Sequence, residues 1–76
     1  PASIRPRLQA CRLPRLVDEV VHNARLQLAV ASGIHIVLEV DPTLPTHACI
    51  DIMRARQVLE EALGAGVQAV AAAMAA

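Results

Sequence analysis

The sequence predicts a small α/β fold, a two-layer α+β sandwich in which helices cover one face of a sheet. Two stretches alternate apolar and polar residues with the period of a β-strand. Two others repeat apolar residues every three or four positions, as amphipathic helices do. Gly33, Pro42 and Pro45 separate these stretches, and a short extended piece precedes the last helix. The predicted element order is therefore β-α-β-(β)-α.

The first half of the chain predicts an edge strand and a helix. Apolar and polar side chains alternate over residues 4–10, and Pro6, which lacks an N–H group, places this strand at a sheet edge. Pro14 suits the first turn of a helix, and Gly33 is the expected stop. The apolar stripe of this helix consists of Val17, Val20, Val21, Ala24, Leu28 and Ala31.

The second half contains the strongest strand signal. In "IHIVLEV", residues 34–40, the side chains of Ile34, Ile36, Leu38 and Val40 share one face. "DPTLP" then predicts a turn, and residues 46–50 predict a short strand. Asp51 is a favourable N-cap for the next helix. The residues of that helix expected to face the sheet are Ile52, Ala55, Leu59, Ala62 and Leu63.

Size and composition indicate a part of a larger domain. The chain has 76 residues, none of them Phe, Tyr or Trp, and its net charge is zero. Ordering each residue costs on the order of 1.5 kcal/mol, which a small aliphatic core barely offsets. From residue 62 to 76 the sequence is alanine-rich. We interpret this tail either as a continuing helix or as a segment where alanine stands for side chains of uncertain identity.

Several classes of function are disfavoured by the same composition. Arg5, Arg7, Arg12 and Arg15 precede the first acid, but no aromatic residue is present to stack bases, so we expect no nucleic-acid binding. The alanine-rich tail is short and weakly apolar for a membrane span, and no signal peptide is visible. We therefore expect a soluble, cytoplasmic segment that does not itself insert into a membrane.

The chain carries no spacing typical of a metal site. Cys11 and Cys49 belong to no CxxC pair, and His22, His35 and His47 share no ligand spacing with them. Reduced, partly buried thiols are the expected state, with a disulfide as the less favoured alternative.

The segment "DIMRARQVLEEALGAGVQAV" resembles the N-box helix in the ATP-binding domain of sensor histidine kinases, which belong to the Bergerat-fold (GHKL-type) ATPases. The positions that agree with the family pattern are Asp51, Arg54, Arg56, Gln57, Val58, Leu59, Leu63 and Gly64. Upstream, "RLPRLVDEVVHNARLQLA" is similar to the first helix of that domain and "GIHIVLEVDPTLP" to its next strand and loop. The ordered set covers residues 4–70 and resembles the N-terminal half of the domain, with a degenerate N-box.

The resemblance implies a nucleotide site on the last helix. Glu61 occupies the place of a catalytic or hydrogen-bonding acid, although a solvated acid beside Glu60 explains it equally well. Ala65 stands where the family has the Asn that helps to hold Mg²⁺, and Gln68 stands where a cation is common. A methyl group cannot ligate a metal, so no metal ligand is assigned in this chain.

The implied parent is a two-component sensor histidine kinase. It would use ATP and Mg²⁺ and deliver the γ-phosphoryl group to a histidine on a dimerisation helix. Its partners would be its own dimerisation helices, in a homodimer, and a response regulator or phosphotransfer protein. The chain alone is expected to be inactive and to bind neither ATP nor Mg²⁺. Two alternatives stay open: a degenerate, kinase-like docking or phosphotransfer scaffold, and an unrelated small α/β interaction domain.

Overall fold

The computed structural model describes residues 7–28 and 32–75 and contains two strands and two helices in these ranges. In chain order they are β1 (Leu8–Arg12), α1 (Leu13–Gln27), β2 (His47–Asp51) and α2 (Ile52–Ala75). The predicted small α+β fold is thereby confirmed. The finer assignment to the Bergerat fold remains a prediction.

The two strands form an antiparallel pair, in which Leu8 lies opposite Asp51 and Arg12 lies opposite His47. The short strand predicted over residues 46–50 is β2, shifted by one position. β1 begins later than the strand predicted over residues 4–10, of which residues 4–6 lie outside the described residues. Each strand leads directly into a helix, so the sheet fixes where both helices start. The Leu13 amide donates to the Thr46 carbonyl at 3.0 Å and closes the junction.

Helix α1 supplies the whole buried core of the described residues. Leu16, Val20 and Val21 retain only 4%, 2% and 5% of their accessible surface. Val20 and Val21 belong to the predicted stripe, whereas Leu16 was missed. Leu16 lies one turn before Val20, so it shares the same helical face.

The end of α1 differs from the prediction. The helix ends at Gln27, and Leu28 adopts an extended conformation while its amide donates to the Arg25 carbonyl at 3.2 Å. Gly33 therefore does not terminate the helix, although its φ of 71° is the left-handed conformation that glycine favours. Of the predicted stripe, Ala31 lies outside the described residues.

Residues 34–40, the strongest strand signal in the sequence, are not part of the sheet. Ile34, Ile36 and Leu38 are half-buried, and the residues between them are exposed, so the predicted alternation is present up to Glu39, whereas Val40, the fourth residue predicted on this face, is exposed. The predicted strand is nevertheless wrong as an assignment, because a strand also requires a hydrogen-bonded neighbour. The following turn forms as expected: Asp41 Oδ1 accepts hydrogen bonds from the Thr43 amide at 2.8 Å and hydroxyl at 2.7 Å.

Helix α2 packs along one face only. Ile52, Ala55, Leu59 and Leu63 are half-buried as predicted, but Ala62 is exposed, because it lies to the side of that face. The helix continues through the alanine-rich tail to Ala75, as one of the two interpretations of that tail expects. No residue of α2 is fully buried.

The molecule is thin and extended for its mass. Its radius of gyration is 15.1 Å, whereas a compact domain of this length has about 11 Å. Its accessible surface is 6242 Å², against about 4,500 Å² for a folded monomer of this mass. The extents of 44 × 37 × 19 Å correspond to one layer of helices on one layer of extended chain. Much apolar surface therefore lies at the outside.

We expect Leu16→Ala to lower the free energy of unfolding by about 2–5 kcal/mol, because it removes a buried side chain and leaves a cavity. In so small a core this loss should abolish cooperative thermal unfolding, measured by circular dichroism. Val58→Ala is the matched control, since Val58 is 59% exposed and should change the midpoint little. Equal effects of the two substitutions would contradict the assignment of the core to α1.

Candidate functional site

Helix α2 positions the residues that the sequence marks as a candidate nucleotide site. Its start is fixed by Asp51, whose Oδ1 accepts a hydrogen bond from the Arg54 amide at 3.2 Å. This contact confirms the predicted N-cap, because it satisfies one of the amides that lack a partner in the first helical turn. The helical phase of all following residues is set from this point.

Glu61, Ala65 and Gln68 share one face of α2. Their spacings of four and three residues place them within about 60° of one another around the helix axis. All three are exposed, and their face lies opposite the one on which Leu59, Leu63 and Val67 are half-buried. The structure thus brings the three candidate residues together on a surface that no described residue covers.

Glu61 has one defined side-chain contact. Gln57 Nε2 donates to Glu61 Oε1 at 3.3 Å from one turn earlier on the same face. A neutral amide can orient the carboxylate without neutralising its charge. The remaining lone pairs of Glu61 face solvent, so this carboxylate is available to accept a hydrogen bond from a water molecule or an incoming group.

Ala65 contributes only a methyl group between Glu61 and Gln68. Magnesium prefers oxygen ligands in near-octahedral geometry, and neither alanine nor the neighbouring Gly64 can supply one. Among residues 7–28 and 32–75, no three His, Cys, Asp or Glu side chains lie close enough to hold a metal ion together. Ala65 therefore supplies no side-chain ligand for a magnesium ion at this position.

A groove of about 650 Å³ runs between the C-terminal part of α1 and the middle of α2. Its polar lining comes from Asn23 and Gln27 on α1 and from Glu60 and Gln68 on α2. Of the three predicted site residues, only Gln68 borders this groove, whereas Glu61 and Ala65 lie outside it. Asn23 and Gln27 were missed as candidates, although their four-residue spacing on a helix places them on one face.

An ion pair joins the two helices near the base of α2. Arg56 Nη2 lies 2.9 Å from Glu19 Oε2, and Arg15 Nε lies 3.6 Å from Glu19 Oε1. The hydrogen bond from Arg56 is the main cause that holds the pKa of Glu19 below the ordinary glutamate range. Arg56 matches the family pattern in sequence, yet in this fold its guanidinium binds a side chain of α1. Its role here is to connect the helices.

The thiols of Cys11 and Cys49 are free. Cys11 lies opposite Ala48, and Cys49 lies opposite Ala10. The two cysteines are therefore neighbours in register but project from opposite faces of the sheet. This geometry disfavours a disulfide without a shift in register.

Helix α2 is long and apolar enough to cross a membrane by length and composition alone. The sequence-based expectation for residues 62–76 was that the tail is too short, but the helix that contains it has 24 residues. Core helices of soluble proteins meet the same criterion. The start of α2 also carries Arg56 in an ion pair with α1, so this property does not assign a membrane location.

No family model matches this chain, and no curated protein or solved structure is significantly similar to it.

We predict that the acid sensitivity of folding depends on the Glu19–Arg56 pair. A carboxyl group whose pKa is lowered in the folded state stabilises the fold above its unfolded pKa. This stabilisation is lost as the pH falls through the lowered value. The stability of Arg56→Gln should therefore fall less steeply with decreasing pH below the ordinary glutamate range.

Urea unfolding at a series of pH values measures this slope. Arg54→Gln is the matched control, because Arg54 is an exposed arginine half a turn away. Asp41, whose pKa is lowered by its hydrogen bonds from Thr43, contributes the same pH dependence of stability to all variants. Identical slopes for Arg56→Gln and the unmodified chain would show that the pair does not couple to folding.

Proposed function

We propose that this chain contributes the N-terminal half of the ATP-binding domain of a sensor histidine kinase. The proposal is supported by the ordered sequence resemblance across residues 4–70, and α1 and α2 fall on the two stretches that resemble helices of that domain. Residues 51–64, which carry most of the N-box pattern, begin at the capped start of α2. The proposed parent phosphorylates a histidine on its dimerisation helix and passes the phosphoryl group to a response regulator.

One observation carries the proposal furthest: the three candidate site positions of the N-box helix fall on the face of α2 opposite its half-buried residues. A different helical phase would have placed Glu61, Ala65 and Gln68 on the half-buried face, where a ligand could not reach their side chains. Their exposure leaves room for a second wall of the site. Binding sites are usually concave and enclose most of a ligand, so a single exposed helix face does not suffice alone.

The described residues have limited roles in such a site. Glu61 would accept a hydrogen bond, held in place by Gln57, and Gln68 would donate its amide hydrogens to an oxygen of the nucleotide. Ala65 offers no ligand for Mg²⁺, so no step through the metal is assigned to this helix. The remaining ligands would have to come from the second half of the domain.

A second candidate function follows from the lack of a metal ligand at Ala65. A helix that keeps the capped start and the α1–α2 ion pair but lacks the metal ligand fits a kinase-like scaffold that docks a phosphotransfer partner. The two candidates differ in what the parent binds. A kinase binds Mg-ATP, whereas a scaffold binds its partner protein without nucleotide.

We predict that the purified chain shows no measurable Mg-ATP binding by isothermal titration calorimetry, because only one wall of the site is present. Micromolar affinity would contradict the requirement for a second wall. The intact parent should bind Mg-ATP if it is a kinase. The same titration with the intact parent therefore separates the kinase from the scaffold.

In the intact parent, Ala65→Asn should strengthen Mg-ATP binding by roughly tenfold or more, because an amide oxygen replaces a methyl group beside the metal. The matched control is Ala71→Asn, which makes the same change on an exposed position about 120° around the helix. The control should leave affinity unchanged. An unchanged affinity for Ala65→Asn would show that α2 does not have the proposed register at the nucleotide.

A further inference from the structure

Residues 34–40 lie outside the helices and strands, without a turn or bend, and their burial alternates up to Glu39 as in an extended segment with two faces. Ile34, Ile36 and Leu38 are half-buried, and His35, Val37 and Glu39 are exposed. The exposed fraction of Val37 reaches 78%, the largest value among the exposed branched aliphatic side chains. Such a segment partly buries the side chains of one face. The partners of its outward side chains and of the backbone groups along its edges remain to be identified.

The hydrogen bonds of this segment lie on one edge. Arg25 donates from Nε and Nη2 to the Ile36 carbonyl at 3.1 and 2.8 Å, and the Ile34 amide donates to Ser32 Oγ at 3.2 Å. In an extended chain the N–H and C=O of one residue project to the same edge, and successive residues alternate between edges. These hydrogen bonds therefore lie along the edge to which the even-numbered residues project their N–H and C=O groups.

The opposite edge carries the backbone groups of His35, Val37 and Glu39. Among the described residues, none of these N–H and C=O groups has a hydrogen-bond partner. A row of alternating donors and acceptors on an apolar extended segment is a template for another strand. A β-strand is the structure that satisfies such a row along its whole length.

We propose that this edge pairs with the same segment of a second copy of the chain, antiparallel, with the two-fold axis at Val37. Val37 then lies opposite its own copy, and His35 lies opposite Glu39 of the second copy. Because these residues project their backbone groups towards the partner, each of the three opposed pairs exchanges two hydrogen bonds. Both copies use the same surface in this pairing, so the assembly stops at two chains, as expected for an isologous dimer.

The side chains of the segment match themselves in this register. On the exposed face, each His35 lies beside the Glu39 carboxylate of the other copy, so the two pairs flank the central Val37 contact with complementary polarity. On the other face, the half-buried Ile36 lies opposite Leu38 and Ile34 lies opposite Val40, which is exposed in the single chain, so the pairing joins apolar side chains. Cross-strand pairs of these kinds stabilise sheets.

Parallel pairing in register would lack this complementarity. It would separate each His35 from Glu39 and place the two Glu39 carboxylates side by side, and like charges directly opposite each other destabilise a sheet. The even-numbered edge is also unsuitable, because Arg25 already occupies the Ile36 carbonyl. The pairing of His35 with Glu39 and an edge that no described residue occupies together select the antiparallel dimer.

Sedimentation velocity over a roughly hundredfold range of concentration tests the proposal, since dimer formation follows mass action. The unmodified chain should show a reversible monomer–dimer equilibrium. Val37→Pro should abolish the dimer, because proline removes the central N–H. Val37→Ala is the matched control, since it keeps that N–H and should retain a weakened dimer. Loss of the dimer in Val37→Ala to the same extent would overturn backbone pairing.

A charge exchange tests the register without proline. His35→Glu and Glu39→His should each raise the dissociation constant by roughly tenfold, and the double variant should restore it. In a mixed isotope-labelled sample, nuclear Overhauser contacts should join Ile36 Hα of one copy to Leu38 Hα of the other. A monomer at all concentrations, or a dimer that Val37→Pro leaves intact, would overturn the proposal.

Discussion

The burial of one helical face determines what the rest of this structure can do. Leu16, Val20 and Val21 are the buried apolar residues of the described chain, and all three belong to α1. Both the two-stranded sheet and α2 pack against this helix, so it organises the layer. Burial of a side chain of this size contributes about 1.5–3 kcal/mol to the free energy of folding. Three such residues leave only a small net stability once the conformational entropy lost on folding is subtracted. Every other element keeps at least one face exposed, and the molecule is correspondingly thin.

The candidate site reflects the same constraint. Because α2 packs only through one half-buried face, the face with Glu61 and Ala65 has no opposing wall among the described residues, whereas Gln68 borders the groove beside α1. The ion pair between Arg56 and Glu19 fixes the base of α2 against α1 while leaving the second half of the helix without ionic contacts among the described residues. A helix held at its base, with a polar face exposed, is suited to complete a site together with another element. This is the physical basis for proposing that the chain forms one wall of an ATP-binding domain.

Sequence patterns predicted the features that depend on local interactions. The N-cap at Asp51 and a short strand within one position of β2 were recognised from residue types alone. Features that depend on a distant neighbour were missed. Alternation over residues 34–40 predicted an extended conformation but could not show that a pairing strand is lacking within the described chain. Gly33 has the backbone conformation of a helix stop, yet α1 ends earlier, at Gln27. The groove between the helices arises from tertiary packing, so the shared helical face of Asn23 and Gln27 could not show that α2 lies opposite them.

Native-state hydrogen exchange of the dilute chain, read residue by residue by nuclear magnetic resonance, tests most directly whether α1 holds the structure together. Exchange rates report the free energy of local opening, which is largest where apolar burial is largest. We expect the slowest amides around Leu16 to Val21 and in the paired strands, with protection in α2 that decreases beyond Val67 towards Ala75. Uniformly slow exchange to the end of α2, matching that of α1, would contradict the account.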